Sequence, residues 1–152
     1  GCRAMRGMVF PVILLLCACD ALPRDPAGTS SRIEKSGSFS VAAMDPVVRS
    51  APETVRLVKE LEQRTKARAQ WRSGSGEALL QQLDDGTLDI VIGRFQAESP
   101  WKDEVAFGPA LATSGNKHAQ IELKAAMRNG ENRWIIEVER ASRAVSAEAR
   151  QQ

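Results

Sequence analysis

The stretch from Gly74 to Leu111, GSGEALLQQLDDGTLDIVIGRFQAESPWKDEVAFGPAL, constrains the fold more than any other part of the chain. Leu79, Leu80 and Leu83 share the buried side of a helix, and Gly86 stops it where a left-handed residue costs least. Leu88 to Ile92 then gives a nearly unbroken apolar run. Such a run marks a strand covered on both faces, and so the centre of a sheet. A polar loop follows, then a second strand at Val105 and Phe107. The segment reads as one parallel α/β step with a ligand-sized loop beyond its central strand.

The rest of the chain extends the same alternation. Phe39, Val41 and Ala43 alternate with Ser40, Ala42 and Met44 in a first strand that ends at Asp45-Pro46. Ser50 with Glu53 three residues on has the capping-box pattern, opening a helix whose stripe is Val55, Val58 and Leu61. Ala67, Ala69 and Trp71 alternate with Arg68, Gln70 and Arg72, which suits an edge strand with one wet face. Ile121, Leu123 and Ala125 alternate with Gln120, Glu122 and Lys124 in a fifth strand with a polar face. Asn129 or Gly130 opens a last helix carrying Trp134, Ile135, Val138, Ala141 and Val145 at helical spacing. The expected fold is α/β: a single three-layer lobe, with a mostly parallel five-stranded sheet and helices on both faces. A length of 152 residues suits one such domain.

Ahead of the lobe, Met5 to Met8 form a short basic region, Val9 to Leu16 an apolar run, and Leu16-Cys17-Ala18-Cys19 a small-residue end. The run is about half the roughly 20 residues a spanning helix needs, so it reads as a secretion signal. Leu three places before Cys19 resembles the bacterial lipoprotein signal, which implies lipidation of Cys19; Asp20 after it implies retention at the inner membrane. Several acyl chains on that residue would give stable anchoring where one would not. ALPRDPAGT, 21–29, has no hydrophobic period, and Ser30 to Gly37 holds a short helical turn around Ile33. The expected organisation is a signal peptide over 1–18, a lipidated tether over 19–37, the lobe over 38–146 and a disordered tail over 147–152.

Charge and chemistry exclude several classes. Arg3 and Arg6 precede Cys19, so the exported part carries 19 basic and 19 acidic residues, with no basic stripe to follow a phosphate backbone. Nucleic-acid binding is not expected. All three cysteines lie at or before Cys19, leaving neither an internal disulfide nor a cysteine metal site. No nucleophile elbow, metal-ligand spacing, Ser-His-Asp set or cofactor loop is present, so the reading is non-enzymatic, with no cofactor and no metal. Trp71 and Trp134 fall at core positions, His118 and Asp85 read as solvated, and Asp89, inside the apolar run, must be hydrogen-bonded if it is buried.

Ligands on open α/β sheets bind beyond the carboxyl ends of the strands. The loops there supply the candidate ligand-binding residues: Asp45 after the first strand; Ser73, Ser75, Gly76 and Glu77 after the second; Arg94 and Phe95 after the third. Trp101, an aromatic in a polar loop, suits recognition. The glycines of SGSGE make either a strand-to-helix turn with Ser75 as N-cap or a nest of amides for a small anion.

LDDGTLDIVIG, Leu83 to Gly93, with SPWKDEVAFGPAL after it and GENRWIIEVER, Gly130 to Arg140, resembles the bacterial periplasmic solute-binding proteins of ABC-transporter type, family 3-like. The resemblance covers about residues 37–145 and implies a periplasmic binding protein type II-like lobe. Full members carry a second lobe after the strand at Val105 to Phe107; here a short ATSGNKH linker stands in its place. Amino-acid-binding members have an Arg just before that strand to hold a carboxylate. Pro100 to Asp103 has none, leaving Arg94 or Lys102 to substitute. The resemblance implies a small polar solute as ligand, a periplasmic place on the inner membrane through the lipid anchor, and a transporter as partner. The alternative is a degenerate lobe that docks an envelope or sensory protein.

Overall fold

The computed structural model describes Gly7 and residues 22–152; the signal region and Cys19 lie outside the described residues. The apolar run becomes β3 (Ile90–Gln96), whose first four residues are buried. It lies at the middle of a sheet ordered β2-β1-β3-β6-β4, with β1 Ser38–Ala43, β2 Arg68–Trp71, β4 Val105–Phe107 and β6 Ala119–Arg128; β5 (Ala112–Asn116) also pairs with β6. Strand β1 is parallel to both β2 and β3, whereas β6 is antiparallel to β3, β4 and β5.

Helices α1 (Thr29–Ser36), α2 (Pro46–Ser50), α3 (Pro52–Thr65) and α5 (Asn132–Val145) supply Ile33, Val48, Leu57, Leu61, Trp134 and Val138 to one core. On the opposite face α4 (Ala78–Asp84) packs Leu79, Leu80 and Leu83 on Ala42, Val91 and Ala126. The three-layer α/β lobe is therefore as expected. Trp134 is only 1% exposed, and its indole N–H donates to the Asp89 carbonyl at 2.8 Å.

Asp89 is buried and tied on every side. Its carboxylate accepts from the Ser40 amide at 2.8 Å and pairs with Arg32, which joins β3 to β1 and α1. This is the pairing that burial of an ion demands.

Several local expectations are corrected. The sheet has six strands, because ATSGN is itself β5. Four of its five residues are exposed, so no burial imposes an apolar alternation that a reader could see. Sheet pairing is mixed rather than mostly parallel, since β6 returns between β3 and β4. Ser50 does not cap a helix; Asp45 does, accepting from the Val48 amide at 2.7 Å to open α2. The buried stripe of α3 is Thr54, Leu57, Val58 and Leu61, while Val55 is 54% exposed. Glu122 and Lys124 are not a wet face: they bond each other at 2.7 Å, with Lys124 buried.

The expected tether and tail are also shorter. Asp25 accepts from the amides of Ser30 at 2.8 Å and Trp134 at 3.0 Å, serving the first turns of α1 and α5 together. Buried Glu131 accepts from the Ala27 amide at 3.0 Å and the Thr29 hydroxyl at 2.6 Å. Residues 25–36 are thus bound to the lobe. At the other end Ala149–Gln151 form a 3-10 turn with Ala149 buried, and the Gln152 side chain accepts from the Ala110 amide at 2.8 Å.

Candidate functional site

Strand β1 ends at Ala43, and the Met44 amide donates to the Ile92 carbonyl at 2.9 Å as the chain turns away. Beyond that point β3 and β6 continue with β5 as a three-stranded rim. The expected loop from Gly93 to Gln96 is therefore strand, and successive side chains leave on opposite faces. Arg94 stands opposite Leu123 and shares its face, which is the side of α3 and α5; Phe95 lies on the α4 side.

On the α4 side Gly93 is an opening filled by a neighbour. A Cβ there would stand 2.5 Å from the Met44 sulfur. Phe95 packs on Phe107 with ring centroids 4.8 Å apart, and the Lys124 ammonium sits over Phe107 at 4.4 Å. Glu122 balances that ammonium. Ser99 is buried and its hydroxyl accepts from the Trp101 amide at 3.2 Å, opening a 3-10 turn over Pro100–Asp103 that sets the indole against this core.

These elements border an open pocket of about 240 Å³. Met44, Leu80, Phe95, Pro100 and Trp101 give it apolar walls, and Glu77, Arg94, Gln96 and Ser99 complete its border. Glu77 is exposed and has no ion-pair partner among the described residues. Arg94 also borders a second pocket of about 140 Å³ with Glu53, Ala112, Thr113, Ser114 and Leu123 on its own side of the sheet.

Of the residues singled out from the sequence, the structure brings Glu77, Arg94, Phe95 and Trp101 to one pocket. It leaves Asp45, Ser73, Ser75 and Gly76 outside. Asp45 is spent on its cap, and the Gly76 amide donates to the Met44 carbonyl at 3.3 Å instead of facing an open nest. Ser75 does not cap α4; the position is held by Glu77 without a side-chain bond. Lys102 pairs loosely with Glu98 at 3.8 Å and is not part of the pocket border. Met44, Leu80, Gln96, Ser99 and Pro100 were missed. The signal for Met44 was Gly93, a residue without a side chain at the end of a buried run, which marks space taken by another chain segment.

Fold and site together define a class: a single lobe of the periplasmic binding protein type II fold, with its pocket beyond the carboxyl ends of the parallel strands. No family model and no curated protein sequence matches the chain. Solved structures do. The arginine-bound domain 1 of the T. maritima arginine-binding protein aligns with TM-score 0.62 at 17% identity, over 74% of this chain and 97% of that one. An ancestral amino-acid-binding protein, a precursor of cyclohexadienyl dehydratase, aligns with TM-score 0.66 at 13% identity, over 76% and 92%. A periplasmic binding protein of Salmonella typhimurium with high arginine specificity aligns with TM-score 0.58 at 9% identity, over 75% and 96%. At such identities the likeness is one of fold.

Proposed function

We propose that the chain is a membrane-anchored periplasmic solute-binding-like protein that recognises a small polar solute without transforming it. Cys19 carries the lipid at the inner membrane, and the solute is passed to a transporter of the ABC type. The observation that carries this reading is the pocket itself, where an unpartnered Glu77 stands beside Trp101 and Phe95 on a lobe like those of amino-acid-binding proteins. At about 240 Å³ it lies just under the roughly 300–1,000 Å³ usual for ligand pockets, so it suits a small solute held on one side.

A thermal-shift screen of small polar metabolites on the full chain tests the reading, with hits repeated on Glu77→Gln and Trp101→Ala. Stabilisation lost in either variant supports it; hits that bind both variants like the parent place the site elsewhere. A second reading is a docking lobe for an envelope or sensory protein. It is favoured by the short connection from β4 to β6, a β5–β6 hairpin closed by Asn116, at the point where the resemblance to two-lobed proteins would put a second lobe. No hit in the screen, with a membrane protein that co-purifies, would favour docking.

A further inference from the structure

We propose that the pocket beside Trp101 selects a small organic cation without a carboxylate, an alkyl- or quaternary ammonium, with Glu77 as its counter-charge. The inference rests on the solute-binding reading and names the ligand class of that same site.

The argument starts from the charges that face the pocket. Glu77 is a carboxylate at its border with no ion pair among the described residues. The one buried cation among the described residues, Lys124, is already neutralised by Glu122 at 2.7 Å. Arg94 borders the pocket through its place in β3, but it stands opposite Leu123, so its side chain leaves on the other face of the sheet. A ligand carboxylate in the pocket would therefore meet Glu77 with no guanidinium held against it. The charge left uncompensated on this side is negative.

The walls point the same way. Trp101 and Phe95 line the pocket, and the quadrupole of an aromatic ring attracts a cation within about 6 Å of its centroid. The same aromatic cluster already uses that attraction: Lys124 lies 4.4 Å over Phe107, and Phe107 packs on Phe95. Met44 and Leu80 add apolar, polarisable contact suited to the methyl groups of an alkylated ammonium. A strongly hydrated inorganic cation gains little from such walls.

Titration calorimetry of the full chain with choline and tetramethylammonium, against arginine and glutamate, decides the matter. Both ammonium probes should bind, and Trp101→Leu should weaken them by about tenfold while Trp101→Phe keeps most of the affinity. Glu77→Gln should weaken them by roughly threefold to tenfold at low salt, with a smaller loss as salt rises. Circular dichroism verifies that each variant is folded. If arginine or glutamate binds in a Trp101-dependent way and the ammonium probes do not, the cation assignment is overturned while solute binding at the pocket stands. If none of the four binds, the cation assignment also falls, and solute binding depends on the wider screen alone.

Discussion

A methyl group on Gly93 would stand 2.5 Å from the Met44 sulfur and 3.1 Å from the Phe95 ring, so this one position sets how closely two residues of the pocket wall can approach β3. Gly93→Ala should destabilise the lobe by about 1–3 kcal/mol, the usual cost of overpacking, read as a drop in the urea midpoint. Met44→Ala in the same chain should recover part of that loss, because the flexible thioether is the main obstacle. Additive losses in the double variant would show that the obstacle is elsewhere.

Asp25 makes a separate, pH-dependent contribution at the same scale. Burial raises its pKa, but hydrogen bonds from Ser30 and from the amides of Trp134, Ser30 and Arg133 outweigh it and hold the carboxyl below its ordinary 3.8. A carboxyl depressed on folding stabilises above its unfolded pKa, and that stabilisation is lost as pH falls through the folded value. Asp25→Asn should therefore lower Tm at pH 7, and the gap from the parent should close below about pH 4. A gap of equal size at pH 3 would rule out the ionic contribution.

At the scale of elements, α1 and the chain before it act as a clasp. Ile33 is the one apolar residue that α1 buries, beside the buried polar Thr29 and Ser30; the rest is carboxylate chemistry, Asp25 and Glu131 on the backbone and Arg32 on Asp89. A chain begun at Ser30 loses Asp25 and the Thr29 bonds and leaves Glu131, which is 2% exposed, without its partners. That truncation should cost about 1–3 kcal/mol or more in urea unfolding relative to one begun at Leu22. Equal midpoints would mean that the clasp adds nothing.

The elements also show what a sequence can carry. Helix α4, the Gly86 stop and the buried β3 were legible because burial writes a period of its own into the residues. Strand β5 was not, since an exposed polar edge has no period. The clasp was not legible either: its bonds to Glu131 and Trp134 join residues more than 100 apart, and only their meeting in space gives Pro- and Gly-rich chain a fixed place. The site divided the same way. Trp101 and Glu77 could be named from local chemistry, whereas placing Arg94 on the far face required knowing that β3 runs on through Gln96.

For the molecule as a whole, the β5–β6 hairpin sets the limit on binding. Two-lobed proteins close on a ligand and bury roughly 70–90% of it, and a lobe with one open side cannot. Binding here should be weak, with Kd about 1 mM or higher for a small ammonium, or about −4 kcal/mol at best. It should also leave the shape unchanged, because the described residues form one lobe. Small-angle scattering of the full chain with and without saturating choline should give the same radius of gyration. A clear compaction would mean that the rim strands move, a larger radius of gyration that a second copy joins the site, and a micromolar Kd with no change that the pocket covers far more of its ligand than its open side implies.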